Sequence, residues 1–229
     1  MVSYLCRMPN ARSIYSTHKA LLLICFVSLV FIQCKNSTSS NRGSNFDTDL
    51  RQTGRDTWQK PELVIDVLGD ISDKTIADIG AGTGYFTFRM AFEAKKVIAI
   101  EIDPAMIELI EVFQENLPER LEGKVEARLV QPDNPGLKPG EADIAVIINT
   151  IAYIENPVNY LSLLKEQVSD DGFIMIIDFK NNYIPIDAPP MSERLGSDQV
   201  IQMLKDSGWD EIIENRTSLD YQYIITAYK

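Results

Sequence analysis

Imidazole is almost missing from this chain. Its one histidine, His18, and all three cysteines, Cys6, Cys25 and Cys34, fall within the first 34 residues. The rest of the chain has no thiolate nucleophile, no disulfide and no cysteine-based metal site. It also lacks an imidazole for general-base work or metal binding, so no metal centre is expected. Any proton acceptor there is Asp, Glu, Tyr, Lys or water. Positive charge is scarce too: 22 Lys and Arg against 33 Asp and Glu leave a net charge of −11. That argues against nucleic acid as the main partner, because nucleic-acid readers carry a basic footprint. The early apolar run, Ala20 to Ile32, is short for a membrane span, which needs roughly 20 residues.

That run has the length of a signal-peptide h-region and follows Arg7, Arg12, His18 and Lys19. It stops at Phe31-Ile32-Gln33-Cys34, where the cysteine resembles a bacterial lipoprotein cleavage site. Residues 1–34 are therefore expected to be a lipoprotein-type signal peptide. Lipidated Cys34 would then anchor the protein to a membrane of the cell envelope. The alternatives are a plain cleaved signal peptide and a cytoplasmic protein with an apolar N-terminal anchor. Residues 35–54 are polar and read as a flexible linker. A folded domain is expected over 55–229, in a chain with ordinary globular composition, 45% hydrophobic and 24% charged.

One stretch organises that domain: Thr75-Ile76-Ala77-Asp78-Ile79-Gly80-Ala81-Gly82-Thr83-Gly84-Tyr85-Phe86. An apolar run ends in an acid, three glycines follow at alternate positions, and an amphipathic segment comes next. This reads as strand, tight turn and helix. Glycine serves where φ must be positive or a ligand must approach the backbone, and a helix start offers free N–H groups. The dinucleotide fingerprint G-x-G-x-x-G is not met, since its third glycine is missing. A nicotinamide oxidoreductase is disfavoured on that ground. A second apolar run, Val97 to Ile100, ends at Glu101, about 20 residues beyond the first glycine, where a carboxylate can accept both hydroxyls of a ribose.

The pattern Asp78-x-Gly80-x-Gly82-x-Gly84 resembles the glycine loop of the class I S-adenosylmethionine-dependent methyltransferases. The likeness covers about residues 55–229. The small, signal-bearing bacterial branch of that family is the nearest match, through Trp58-Gln59-Lys60-Pro61 and Tyr221-Gln222-Tyr223. That branch often carries Asn-Thr-Tyr-His-His after the fourth strand. Here the stretch is Asn149-Thr150-Ile151-Ala152-Tyr153, without the histidines.

Periodicity places strands at Thr75–Ile79, Lys96–Glu101, Val125–Val130, Ala142–Ile148 and Gly172–Ile177. A closing antiparallel pair is expected at Glu211–Thr217 and Tyr221–Tyr228. Helices are expected at Pro61–Leu68, over Gly84–Glu93, after Asp103-Pro104, after Asn156-Pro157 and from a Ser197 cap. Lys180 to Leu195 is irregular and proline-containing, and reads as a lid. The fold class that follows is α/β, doubly wound, with a seven-stranded mostly parallel sheet and helices on both faces. The resemblance adds that the last strand is antiparallel.

The resemblance implies S-adenosyl-L-methionine as cofactor and a small-molecule methyl acceptor. It implies cofactor contacts from Trp58, Asp78, Gly80, Gly82, Gly84, Tyr85, Glu101, Ile102, Asp133 and Asn149. Two readings stay open at Trp58, a cap on the sheet edge or a cover over the pocket. Two also stay open at Asp133, an acceptor for the adenine amino group or an Asx-turn residue. Asn149, Tyr153 and Asp178 are the catalytic candidates, with Lys180 nearby. The competing function is an exported nucleoside-binding module without turnover.

Overall fold

The computed structural model describes residues 54–229. The expected signal peptide, the lipidated Cys34 and all but the last residue of the expected linker lie outside the described residues. Among the described residues, no helix is long and apolar enough to cross a membrane.

The chain enters through a short helix α1 (Arg55–Gln59) and a second, α2 (Pro61–Val67), joined by Lys60 at φ 49°. Strand β1 (Thr75–Ile79) leads into the glycine loop and α3 (Tyr85–Glu93). Then come β2 (Lys96–Glu101), α4 (Pro104–Glu115), β3 (Val125–Leu129) and β4 (Ala142–Ile148). The chain ends with α5 (Pro157–Gln167), β5 (Val168–Phe179), α6 (Ser197–Asp206), β6 (Asp210–Asn215) and β7 (Gln222–Tyr228).

The seven strands form one sheet in the order β3-β2-β1-β4-β5-β7-β6. Strands β1 to β5 run parallel, and β7 pairs antiparallel with both β5 and β6. Each inner strand divides its side chains between two cores, as a period of two requires. On β4, Ile144, Val146 and Ile148 join the core under α2, α3 and α4. Ala145 and Ile147 join the core under α5 and α6. Both faces are thus covered, and cutting a fully buried isoleucine such as Ile147 to alanine costs about 2–5 kcal/mol.

Strand order reverses between β1 and β4, where β2 lies to one side and β5 to the other. In open α/β sheets a crevice opens at the carboxyl ends of the strands at that reversal. The glycine loop leaves β1 there.

Several element ends shift by one or two residues, and three differences from expectation have a clear physical reason. Strand β5 begins at Val168, which pairs with Ala142 before a bulge, so Val168 is not on the α5 stripe. The cap of α6 is Gly196, whose N–H donates to the side chain of Gln199 at 2.8 Å; Ser197 is the first helical residue. Asn156 precedes α5 without a side-chain capping bond, and Pro157 supplies the preset φ instead.

Candidate active site

The loop after β1 is built from positive φ angles: 71° at Gly80, 56° at Gly82 and 82° at Gly84. The three glycines serve different ends. A Cβ at Gly80 would lie 2.5 Å from the Thr150 side chain, and one at Gly84 would lie 2.4 Å from the Phe88 ring. These two glycines allow close packing. A Cβ at Gly82 would meet nothing within 4 Å. Its backbone faces open space, as a ligand cradle requires.

Two hydrogen bonds from β2 fix the cradle. The carbonyl of Ile100 accepts from the N–H groups of Gly80 (2.9 Å) and Ala81 (3.1 Å). Beside it, Glu101 accepts from Gly82 N–H at 2.7 Å through one oxygen and from Ile102 N–H at 2.8 Å through the other. The acid at the tip of β2 is therefore oriented by main chain on both sides. The oxygen bonded to Gly82 keeps a lone pair for a hydroxyl, while the other also takes a long bond of 3.5 Å from Asp103 N–H.

The cleft has two chambers, and Gly80 and Thr150 line both. The first, about 420 Å³, is walled by Glu101, Ile102, Gln131, Pro132, Tyr153 and Ile154, among others. It is a mostly apolar slot with two carboxylates, Glu101 and Glu155, on its wall. The second, about 470 Å³, includes Arg55, Trp58, Asp78, Gly82, Tyr85 and Asn149, with Phe179 and Asp187. Both volumes fall in the range of small-ligand sites, roughly 300–1,000 Å³.

Asp78 is 2% exposed and accepts from the Thr87 hydroxyl at 2.6 Å. Burial pushes its carboxyl up to about 6, and the Thr87 bond opposes that rise. Tyr85 donates its hydroxyl to Asp56 and lies between two guanidinium groups, Arg55 at 4.0 Å and Arg89 at 3.9 Å from the ring centroid. Burial, then the bond to Asp56, raises its pKa, so it stays neutral. Among the described residues Arg55 is the sole cationic residue lining either chamber. Burial lowers its pKa, but arginine keeps its charge at neutral pH.

Asn149 directly follows β4 at φ 58°, a left-handed value that asparagine tolerates better than most residues. Its N–H donates to Ile177 O at 2.9 Å, and its side-chain oxygen accepts from Gln222 Nε2. The Trp58 ring packs on Phe179 at the end of β5, with centroids 5.7 Å apart, and lines the second chamber.

Other candidates lie farther from the loop. Asp133 is exposed and sits in a smaller recess, about 290 Å³, with Asn156 and Asn159; Pro132, Ile154, Glu155 and Tyr160 form the partition from the first chamber. Tyr153 lines the first chamber but is 63% exposed. Asp178 lines neither chamber. It pairs across the sheet with Tyr223 and shares its face with the core under α5 and α6. Lys180 is spent on the carbonyls of Leu219 and Asp220, each at 2.9 Å.

Sequence reasoning missed Arg55, Phe179, Asp187 and Gln222. Only Gln222 left a trace, as an amide inside the apolar strand Gln222–Tyr228. The others carry no local signal, because segments distant in the chain bring them together.

Known proteins give this geometry its setting. The profile of a methyltransferase domain matches residues 70–209. The chain is similar to a magnesium-protoporphyrin O-methyltransferase of Rhodobacter capsulatus, 31% identical over 47% of each chain. It is also similar to ribosomal RNA small subunit methyltransferase A of Leuconostoc citreum, 28% identical over 59% of this chain and 43% of that one. It thus spans about half the length of these curated relatives. Among solved structures, an S-adenosylmethionine-dependent methyltransferase of Aquifex aeolicus superposes with a TM-score of 0.69 at 22% identity, covering 80% of this chain and 96% of that one. The open backbone at Gly82 and the carboxylate at Glu101 fit the cofactor of that family. The chain belongs to the class I S-adenosylmethionine-dependent methyltransferases.

Proposed function

We propose that this protein transfers a methyl group from S-adenosyl-L-methionine to a small molecule that enters the second chamber. One observation carries the reading. The cleft joins an apolar, carboxylate-edged slot to a second chamber walled by Trp58 and Phe179, with the glycine cradle between them. The residues present suit the cofactor. Glu101 can take the ribose hydroxyls, Ile102 and Ile154 can flank the adenine, and Arg55 can take the amino-acid carboxylate. When bound, the cofactor supplies a methyl already activated by a positive sulfonium.

The chain's own work is alignment and the exclusion of water. Asn149, held by Gln222 and by Ile177 O, positions the wall of the second chamber next to Thr150, which both chambers share. Trp58 and Phe179 screen the far wall. Alignment needs no imidazole. The small-molecule reading draws on charge: four carboxylates and one cation line the two chambers, and the whole chain carries −11. A polyanionic acceptor would be repelled.

The first test is a calorimetric titration of the full chain with S-adenosylmethionine, followed by transfer of labelled methyl to extract fractions. Label in the low-molecular-weight fraction is the expected result. Label in RNA would overturn the small-molecule reading. Saturable binding with no transfer to any fraction would favour a module that holds the ligand without turnover, a reading motivated by the missing histidines.

We further propose that Cys34 is lipidated and tethers the domain to the cell envelope, because a cysteine directly follows the apolar run Ala20–Ile32 and Gln33. Palmitate labelling that persists in Cys34→Ser would refute it.

A further inference from the structure

The charges of the two chambers are not interchangeable. Glu101 and Glu155 line the first, and Asp78 and Asp187 line the second together with Arg55. If Arg55 answers the cofactor's own carboxylate, no other cation among the described residues lines the chamber to receive a carboxylate or phosphate on the acceptor. What remains at the mouth of the second chamber is an aromatic ledge and an acid. Trp58 and Phe179 form the ledge, their rings 5.7 Å apart and tilted by 38°. Asp187 is the exposed acid.

Both parts are held in place. Lys60, directly after α1, donates to Ser218 O at 3.2 Å and pairs with Asp220 at 3.2 Å, which fixes the end of the helix that carries Trp58. The segment bearing Asp187 is strapped by Arg194, whose guanidinium donates to Pro189 O (2.6 Å) and Asn182 O (2.9 Å). Ile184 is buried beneath it. A prearranged aromatic face beside a carboxylate is the chemistry that receives an organic cation.

We propose that the second chamber selects an amine acceptor, its ammonium between the Trp58–Phe179 ledge and Asp187, and that the reaction is N-methylation. This rests on the methyltransferase reading and names its substrate class. The bound ammonium loses a proton to water at the exposed mouth beside Asp187. The freed nitrogen lone pair forms the N–CH3 bond, and the carbon–sulfur bond breaks with its electrons left on sulfur.

The test uses three probes of one shape and different charge: benzylamine, benzyl alcohol and benzoate. Tryptophan emission of the full chain is followed during each titration, with S-adenosylmethionine present. Trp209, the other tryptophan, is buried in the core under α5 and α6, so the responding signal belongs to Trp58 and is lost in Trp58→Phe. Benzylamine is expected to saturate at about a fivefold lower concentration than benzyl alcohol, with benzoate weakest. Asp187→Asn is expected to bring amine and alcohol within about twofold. Benzyl alcohol or benzoate binding as tightly as the amine would overturn the proposal. So would an unchanged order in Asp187→Asn, or no response to any probe. A parallel calorimetric titration with S-adenosylmethionine keeps the two readings apart: no heat there rejects the methyltransferase function itself, whatever the probes do.

Discussion

The two chambers of the cleft are made differently. The first is made of strand ends and the loops that leave them: the turn after β1, the acid at the tip of β2, residues 130–132 after β3 and residues 150–155 after β4, with Tyr160 of α5. The second takes in the turn after β1 from Gly80 to Thr83 and adds α1, the end of β5, Asp187 and, behind Asn149, the first residue of β7. The first draws on the ends of four strands, β1 to β4, and is rich in main-chain contacts. The second is assembled from side chains far apart in the chain. A chamber of the first kind holds a constant ligand, whereas one of the second kind can change its acceptor without disturbing the sheet.

The largest expected effect concerns the first chamber. Gly80→Val places a Cβ 2.5 Å from Thr150 at φ 71°, so strain and overpacking should cost about 3–4 kcal/mol of stability. Chemical denaturation measures it. Gly82→Ala should cost only about 1 kcal/mol, because its Cβ meets no protein atom. It should still weaken the cofactor, since that Cβ enters the cradle. If Gly82→Ala left cofactor affinity unchanged, the cradle would not be where the ligand sits.

Next is Glu101→Ala. It removes the acceptor that holds Gly82 N–H and should weaken S-adenosylmethionine by about 2–3 kcal/mol in calorimetry, roughly 30- to 150-fold. Equal weakening from Trp58→Leu would blur the division between the chambers; a change confined to the acceptor would sharpen it.

The third contrast sets Asp78, inside the cleft, against Asp178, behind it. Asp178 is 4% exposed, accepts from Phe179 N–H at 2.7 Å, and leaves its other oxygen without a partner. Burial pushes its carboxyl up to about 6, with the Phe179 bond opposing the rise. A carboxyl whose folded pKa lies above its unfolded one binds more protons when folded. Stability therefore falls as pH rises from about 4 to about 6 and levels off above. Asp178→Asn should flatten that slope and add on the order of 2 kcal/mol at pH 7, read from denaturation midpoints between pH 4 and 8. Cofactor should alter the corresponding slope of Asp78 and leave that of Asp178 alone.

The smallest effect expected is that of Asp133→Ala. Its place in the neighbouring recess predicts a change in cofactor affinity below about threefold, or roughly 0.6 kcal/mol. A tenfold loss would mean that the first chamber extends past Pro132.

The same division explains what could be read from the sequence. The strands showed because each inner one is apolar on both faces, as at Ala142–Ile148. The cradle showed because backbone geometry demands glycine at fixed spacing, and Glu101 because it ends an apolar run. Asp178 misled because a strand-end acid looks the same whichever face it takes; the pairing with Tyr223 turns it away from the cleft. Lys180 misled because its carbonyl partners belong to a turn near residue 220. Arg55 and Asp187 left no pattern, since their meeting depends on where α1 and the 180–195 segment come to rest. The cap at Gly196 rather than Ser197 follows from Gln199 reaching back to the backbone, a choice that serine propensity does not reveal.

The insertion of β7 between β5 and β6 has a consequence for how the molecule matures on the ribosome. Until residues 222–228 emerge, the edge Phe173–Phe179 has no neighbour and β6 has nothing to join. A nascent chain arrested before Gln222 is expected to hold a five-stranded sheet with one naked border, prone to pair with other chains. The glutamine that latches Asn149 arrives with the same final strand, so the turn at Asn149 would set only as synthesis passes that point. Limited proteolysis of arrested chains would reveal it as cleavage beyond Asn149 that stops once β7 is present.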